Sequence, residues 1–212
     1  MPRAFTWRRS SLLLLSAGLF AAACDDPAEP PPGAGDPENI SRVTITLTPV
    51  GGGTAVTSFI LDPDGTALPN PPNAPSATLT LTKGVTYNGT ITLLNDIDAG
   101  NVIDITAEVE DEGNFHRFFY TITANAATPR DSISVPATDA SRQITISGLN
   151  NDTQATPAPL GTTFQVVVAA GAPSGSTTLN VQLHHFEAAK GTGLGVTFDM
   201  DLDVSFPVAV AP

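Results

Sequence analysis

From Arg42 onward the chain alternates apolar and polar residues with a period of two. Val43, Ile45 and Leu47 stand between Thr44, Thr46 and Thr48, so an extended backbone sends one set to a core and the other to water. The same alternation returns over residues 56–61, 77–82, 85–94, 115–123, 143–147, 163–169, 177–186 and 196–206. Turn-forming clusters separate these runs: Gly51-Gly52-Gly53, Asp62-Pro63-Asp64-Gly65, Lys83-Gly84, Asn150-Asn151-Asp152 and Gly171 to Gly175. About nine short strands at such spacing predict an all-β domain: a single antiparallel Greek-key β-sandwich, with a Greek-key barrel as the alternative closure.

The last run is the most regular. Val196, Phe198, Met200, Leu202, Val204 and Phe206 take one phase, and Thr197, Asp199, Asp201, Asp203 and Ser205 the other, which predicts three aspartates on a solvated sheet face. One segment departs from the pattern. Asp104 to Gly113 has a capping Asp, an Ile105/Val109 pair four residues apart and a Gly stop, predicting one short helical turn or two; an additional strand is the alternative. Residues 69–75, rich in Pro and Asn, predict an ordered loop within one domain.

Residues 1–40 are organised differently. A cationic stretch ending in Arg8-Arg9, an apolar run from Leu12 to Phe20 and the small residues Ala21-Ala22-Ala23 have the order of a secretory signal, too short for a comfortable membrane span. Cys24 is the only cysteine, so the body has no disulfide framework and rests on packing. The tract Leu19-Phe20-Ala21-Ala22-Ala23-Cys24 resembles the lipobox of bacterial lipoproteins, with Ala21 where Leu is usual. The resemblance implies a signal peptide over 1–23 and acylation of Cys24. After it, Asp25 to Glu38 is Pro, acid and Gly with almost nothing to bury, predicting a disordered tether over 24–40 and a folded domain over 41–212.

Charge narrows the partners. Lys plus Arg number 9 against 21 Asp plus Glu, a formal net charge of −12, and loss of Arg3, Arg8 and Arg9 with the signal makes the body more acidic still. Phosphate backbones need a cationic partner, so nucleic acid is excluded as a ligand class. With 41% hydrophobic and 14% charged residues, the chain is too apolar to be disordered throughout.

The sequences Gly89-Thr90-Ile91-Thr92-Leu93-Leu94-Asn95, Asp104-Ile105-Thr106, Glu108-Val109-Glu110, Glu112-Gly113, His116-Arg117-Phe118-Phe119-Tyr120 and Leu183-His184-His185 together resemble a family of bacterial surface lipoproteins of the kind found in Bacteroidota. That family carries one immunoglobulin-like β-sandwich behind a tether. The resemblance implies that fold and an outer-membrane lipid anchor, and it groups the acidic turn with the histidines; it brings no activity with it.

The chain has 3 histidines. If the strands at 115–123 and 177–186 are neighbours, His116 and His185 approach the turn that carries Glu108, Glu110 and Glu112. Imidazoles with a carboxylate suit zinc or copper. In the phase of Leu179, Val181 and Leu183, His185 points inward while His184 points outward with Asn180 and Gln182, so one ion does not take both. The competing reading is one interior, hydrogen-bonded histidine and two on the surface. Asp199, Asp201 and Asp203 on a straight strand are spread too widely for Ca²⁺ and read as a solvated acidic face.

Catalytic patterns are missing. The chain has no Gly-x-Ser-x-Gly elbow, and Ser174 has Ala172 and Ser176 in the glycine places. With Trp7 in the signal and 2 Tyr, sugar-stacking groups are few. Gly191-Thr192-Gly193-Leu194-Gly195 precedes a strand, which makes no phosphate cradle. The sequence thus predicts no enzyme and no required cofactor. It predicts an outer-membrane lipoprotein of the cell envelope, a binding or accessory module capturing zinc or copper through His116, His185, Glu108, Glu110 and Glu112. Its expected partners are the membrane, through the lipid, and an outer-membrane transporter or other envelope protein. The alternative is a structural or adhesive module without a small ligand.

Overall fold

The alternating runs form strands. The computed structural model describes residues 38–62, 73–123, 137–190 and 197–211. These hold β1 (Arg42–Pro49), β2 (Val56–Leu61), β3 (Leu79–Leu81), β4 (Thr86–Asn95), β5 (Ile103–Asp104), α1 (Ile105–Asp111), β6 (His116–Thr123), β7 (Ala137–Asp139), β8 (Ile144–Ser147), β9 (Thr163–Val168), β10 (Gly175–Phe186) and β11 (Phe198–Val210). The signal, Cys24, most of the tether, the Pro63-Asp64-Gly65 turn and the Gly191 to Gly195 segment lie outside the described residues.

The strands make two sheets. One runs β2-β1-β4-β9-β8-β7, with β5 added to β4; the other runs β3-β11-β10-β6. Pairing is antiparallel except where β3 lies parallel to β11, Leu79 beside Val208. One face of each sheet buries into a shared core, with Ile45, Ile91 and Val166 from the first sheet and Phe118, Val181 and Phe206 from the second. The result is an open sandwich, not a barrel. Tyr120 fills the centre of that core and still satisfies its hydroxyl, which donates to the Gly161 carbonyl at 2.6 Å. The sheets are also joined by a polar bond at one edge. Thr177 Oγ1 on β10 donates to Asp139 Oδ2 on β7 at 2.6 Å, and both residues are buried.

The acidic segment is helical, as its pattern predicts. Asp104 caps α1 by accepting from the Ala107 amide at 3.3 Å, and Ile105 and Val109 are the buried pair. The Thr106 hydroxyl accepts from the Leu93 amide at 2.7 Å, which pins the helix to the end of β4. Gly113 ends it at a crowded point. A Cβ there would stand 2.7 Å from Cβ of Asp152, so only glycine lets the residue 152 loop come this close.

Two expectations are corrected here. The ordered body begins ahead of residue 41, because Ile40 is 1% exposed and Glu38 is buried too; an apolar side chain and one acid in the Pro-rich segment pack rather than float. The aspartates of β11 do not share a solvated face. Leu183 pairs with Leu202 and His184 with Met200, so Asp201 is an extra residue in the ladder. This β-bulge turns its side chain out of the simple alternation, and Asp201 is 2% exposed. Asp203 is buried on the sheet's other side, accepting from Asn180 Nδ2 at 2.8 Å and Gln182 Nε2 at 3.2 Å.

Candidate metal centre

β6 and β10 are neighbours, and their register sets His116 directly opposite His185. The ring centroids are 4.4 Å apart. On the other flank of β10, the β11 bulge delivers Asp201, whose Oδ2 lies 3.6 Å from His116 Nε2 and 3.9 Å from His185 Nδ1. The fourth group comes from ahead of β1: Glu38 Oε1 is 3.1 Å from His116 Nε2. One donor atom from each of Glu38, His116, His185 and Asp201 lies within 4.8 Å of the others, and all four residues are buried.

The hydrogen bonding orients this group. His116 Nδ1 lies 3.3 Å from the carbonyl of Glu112; since a carbonyl only accepts, that nitrogen carries the proton, and in the neutral ring Nε2 presents its lone pair. Nε2 then faces two carboxylates. His116 Nε2 and Asp201 Oδ2 are fully buried yet make no hydrogen bond among the described residues. Acceptor atoms gathered out of water repel one another unless a positive charge stands between them, either a second ring proton or a metal ion. Burial pushes the Asp201 carboxyl up to about 7, against the pull of His116, and burial with the neighbouring His116 pulls the His185 imidazole down.

A buried clamp holds the His116 strand in place. Lys190, just beyond β10, donates Nζ hydrogen bonds to the carbonyls of Gly113 and His116 and pairs with Asp152 Oδ2 at 2.9 Å. Three acceptors match the three hydrogens of an ammonium group. Burial lowers the Lys190 amine and Asp152 opposes that pull.

Of the residues named from sequence, His116 and His185 are brought together, whereas the carboxylates beside them come from Glu38 and Asp201. Glu108 and Glu110 are exposed on α1; burial and the nearby Glu38 still raise the Glu108 carboxyl, with His116 opposing. Glu112 is buried, but it meets His116 through its backbone carbonyl, and burial raises its carboxyl, with His116 opposing. His184 points away from the centre as the strand phase requires. It is buried rather than on the surface, stacked on Phe198 at 3.9 Å and tilted against Phe119 at 4.4 Å. Comparison with protein-family models, curated proteins and solved structures finds no match to this chain in any of the three.

Proposed function

We propose that this protein is a lipid-anchored envelope module whose β-sandwich binds one divalent transition-metal ion, zinc or copper, at Glu38, His116, His185 and Asp201. The observation that carries this reading is the convergence of two imidazoles and two carboxylates in one buried group. Two neutral imidazoles and two carboxylates around a dication leave no net charge to bury. The donor set suits zinc, or copper in its divalent state; it lacks the thiolates that cuprous copper favours and the six or more oxygens that calcium takes. The signal-like N-terminus and Cys24 support export and anchoring at the outer membrane, and capture on behalf of a transporter or other envelope partner follows as the role. Binding rather than catalysis is the reading.

The test is metal content. The full chain is loaded with a zinc, copper and calcium mixture, dialysed exhaustively and analysed by mass spectrometry. Near one equivalent of zinc or copper is expected, and no retained metal overturns the proposal. A second reading then stands, favoured by the raised Asp201 carboxyl: protons neutralise the group, which serves as a polar plug in a structural or adhesive module.

A further inference from the structure

The four donors come from both sheets. His116 on β6, His185 on β10 and Asp201 in the β11 bulge stand on adjacent strands of the second sheet. Glu38 comes from the stretch that leads into β1, a strand of the first sheet, and that stretch is fixed. Asn39 stands in a β-bridge, and Ile40 is 1% exposed in the shared core. Ser41 then extends the first sheet by one rung on either side of β1: its amide donates to the Leu94 carbonyl at 2.9 Å, and its carbonyl accepts from the Asp62 amide at 2.7 Å. A pull on Glu38 is therefore a pull on the first sheet.

The spacing suits a tie between the two. Around a tetrahedral ion with bonds near 2 Å, donors stand about 3.3 Å apart. Glu38 Oε1 and His116 Nε2, one from each sheet's side, are already 3.1 Å apart; the longer gaps, 3.6 and 3.9 Å, lie within the second sheet between Asp201 and the two histidines. A dication here turns two facing acceptors into a link from one sheet to the other. The buried Thr177–Asp139 bond joins the sheets near the start of β10, and His185 lies about 26 Å further along that strand at about 3.3 Å per residue. With Cys24 the only cysteine, no disulfide within the chain braces that end.

We infer that the metal ion is the staple of this end of the sandwich, joining the first sheet through Glu38 to the second through His116, His185 and Asp201. The inference rests on the metal-binding reading above.

The test follows amide hydrogen exchange in the full chain, wild type and Glu38→Gln, each with and without saturating zinc. Ser41 and Asp62 report on the first sheet beside the centre. Phe186, whose amide donates to the Phe115 carbonyl at 2.7 Å, reports on the second. Val168, whose amide donates to the Val85 carbonyl at 3.1 Å, is the reference at the other end of the first sheet, since β4 runs from Tyr87 beside Pro49 to Leu94 beside Arg42. In the wild type, zinc is expected to slow Ser41 and Asp62 by about tenfold more than Val168, because opening the sheet beside the centre then forfeits a ligand. In Glu38→Gln, zinc held by the other three donors should slow Phe186 without that excess at Ser41 and Asp62. If zinc slows Ser41 and Asp62 no more than Val168 in a wild-type chain that holds one zinc, or as much in Glu38→Gln as in the wild type, the staple is overturned and the metal site stands. A wild-type chain that holds no zinc overturns both.

Discussion

His116 and His185 face each other across the β6–β10 ladder, their ring centroids 4.4 Å apart. Neighbouring registers would separate them, so this pairing is what makes one ion reachable by both. Replacing either with alanine removes one of four donors. Zinc affinity measured by titration calorimetry is expected to fall by at least about tenfold for His116→Ala and for His185→Ala. His184→Ala, on the opposite side of β10, should keep one zinc per chain. Loss of zinc from the His184 variant alone would place the ion elsewhere.

Asp201→Asn should act in opposite directions on stability and on binding. A buried carboxylate costs the fold more than its neutral isostere does, and burial already pushes Asp201 up to about 7. The metal-free variant is therefore expected to melt at or above the wild-type temperature at pH 8. Zinc at about 100 times its dissociation constant should stabilise the wild type by about 2.7 kcal/mol and the variant by much less at the same concentration. Calorimetric scans with and without zinc check this, and equal stabilisation of the two chains would count against Asp201 as a ligand.

How far the sequence carried can be judged at these same residues. Period-two alternation located β1, β4 and β9 because each has one buried face. It also put His185 and His184 on opposite faces of β10, since the extra residue at the Leu183/His184 step lies in β11 and β10 keeps its register with β6. Asp201 was hidden: the bulge that aims it is a pairing property of two strands, and alternation read along one strand assigns it to water. Glu38 was hidden for another reason, because its Pro-rich, acidic surroundings have the composition of a tether. β7, only three residues long, has too few positions to show a period. Its place depends on Asp139 meeting Thr177.

That contact sets an acid limit on stability. Burial tends to raise the Asp139 carboxyl, but hydrogen bonds from the Ser141 and Thr177 hydroxyls and from backbone amides outweigh it and hold the group below the usual range. A carboxyl lowered in the folded state stabilises above its unfolded pKa, near 3.9, and loses that contribution as pH falls through the folded value. Urea unfolding should show Asp139→Ala less stable than wild type by about 2 kcal/mol at pH 7. The gap should close as pH drops below about 4; a gap unchanged at pH 3 would contradict the assignment.

Lys190→Met should be costly for a reason that charge counting misses. It leaves Asp152 Oδ2 without its cation and the carbonyls of Gly113 and His116 without their donor. Removing one partner of a buried pair typically costs about 3–5 kcal/mol. Because both residues serve the same clamp, Lys190→Met with Asp152→Asn should lose less than the two single losses added together. Additive losses in urea unfolding would show that the two do not act as a unit.

Glu38 comes ahead of the first strand and Asp201 belongs to the last, so the two carboxylates of the centre enter at opposite ends of the folding chain. A partial chain that stops short of β11 holds Glu38 but not Asp201. An emerging chain that carries Glu38, His116 and His185 still lacks the bulge that aims Asp201 at them. On the metal-binding reading proposed above, the four-donor group is assembled only once β11 has paired with β10.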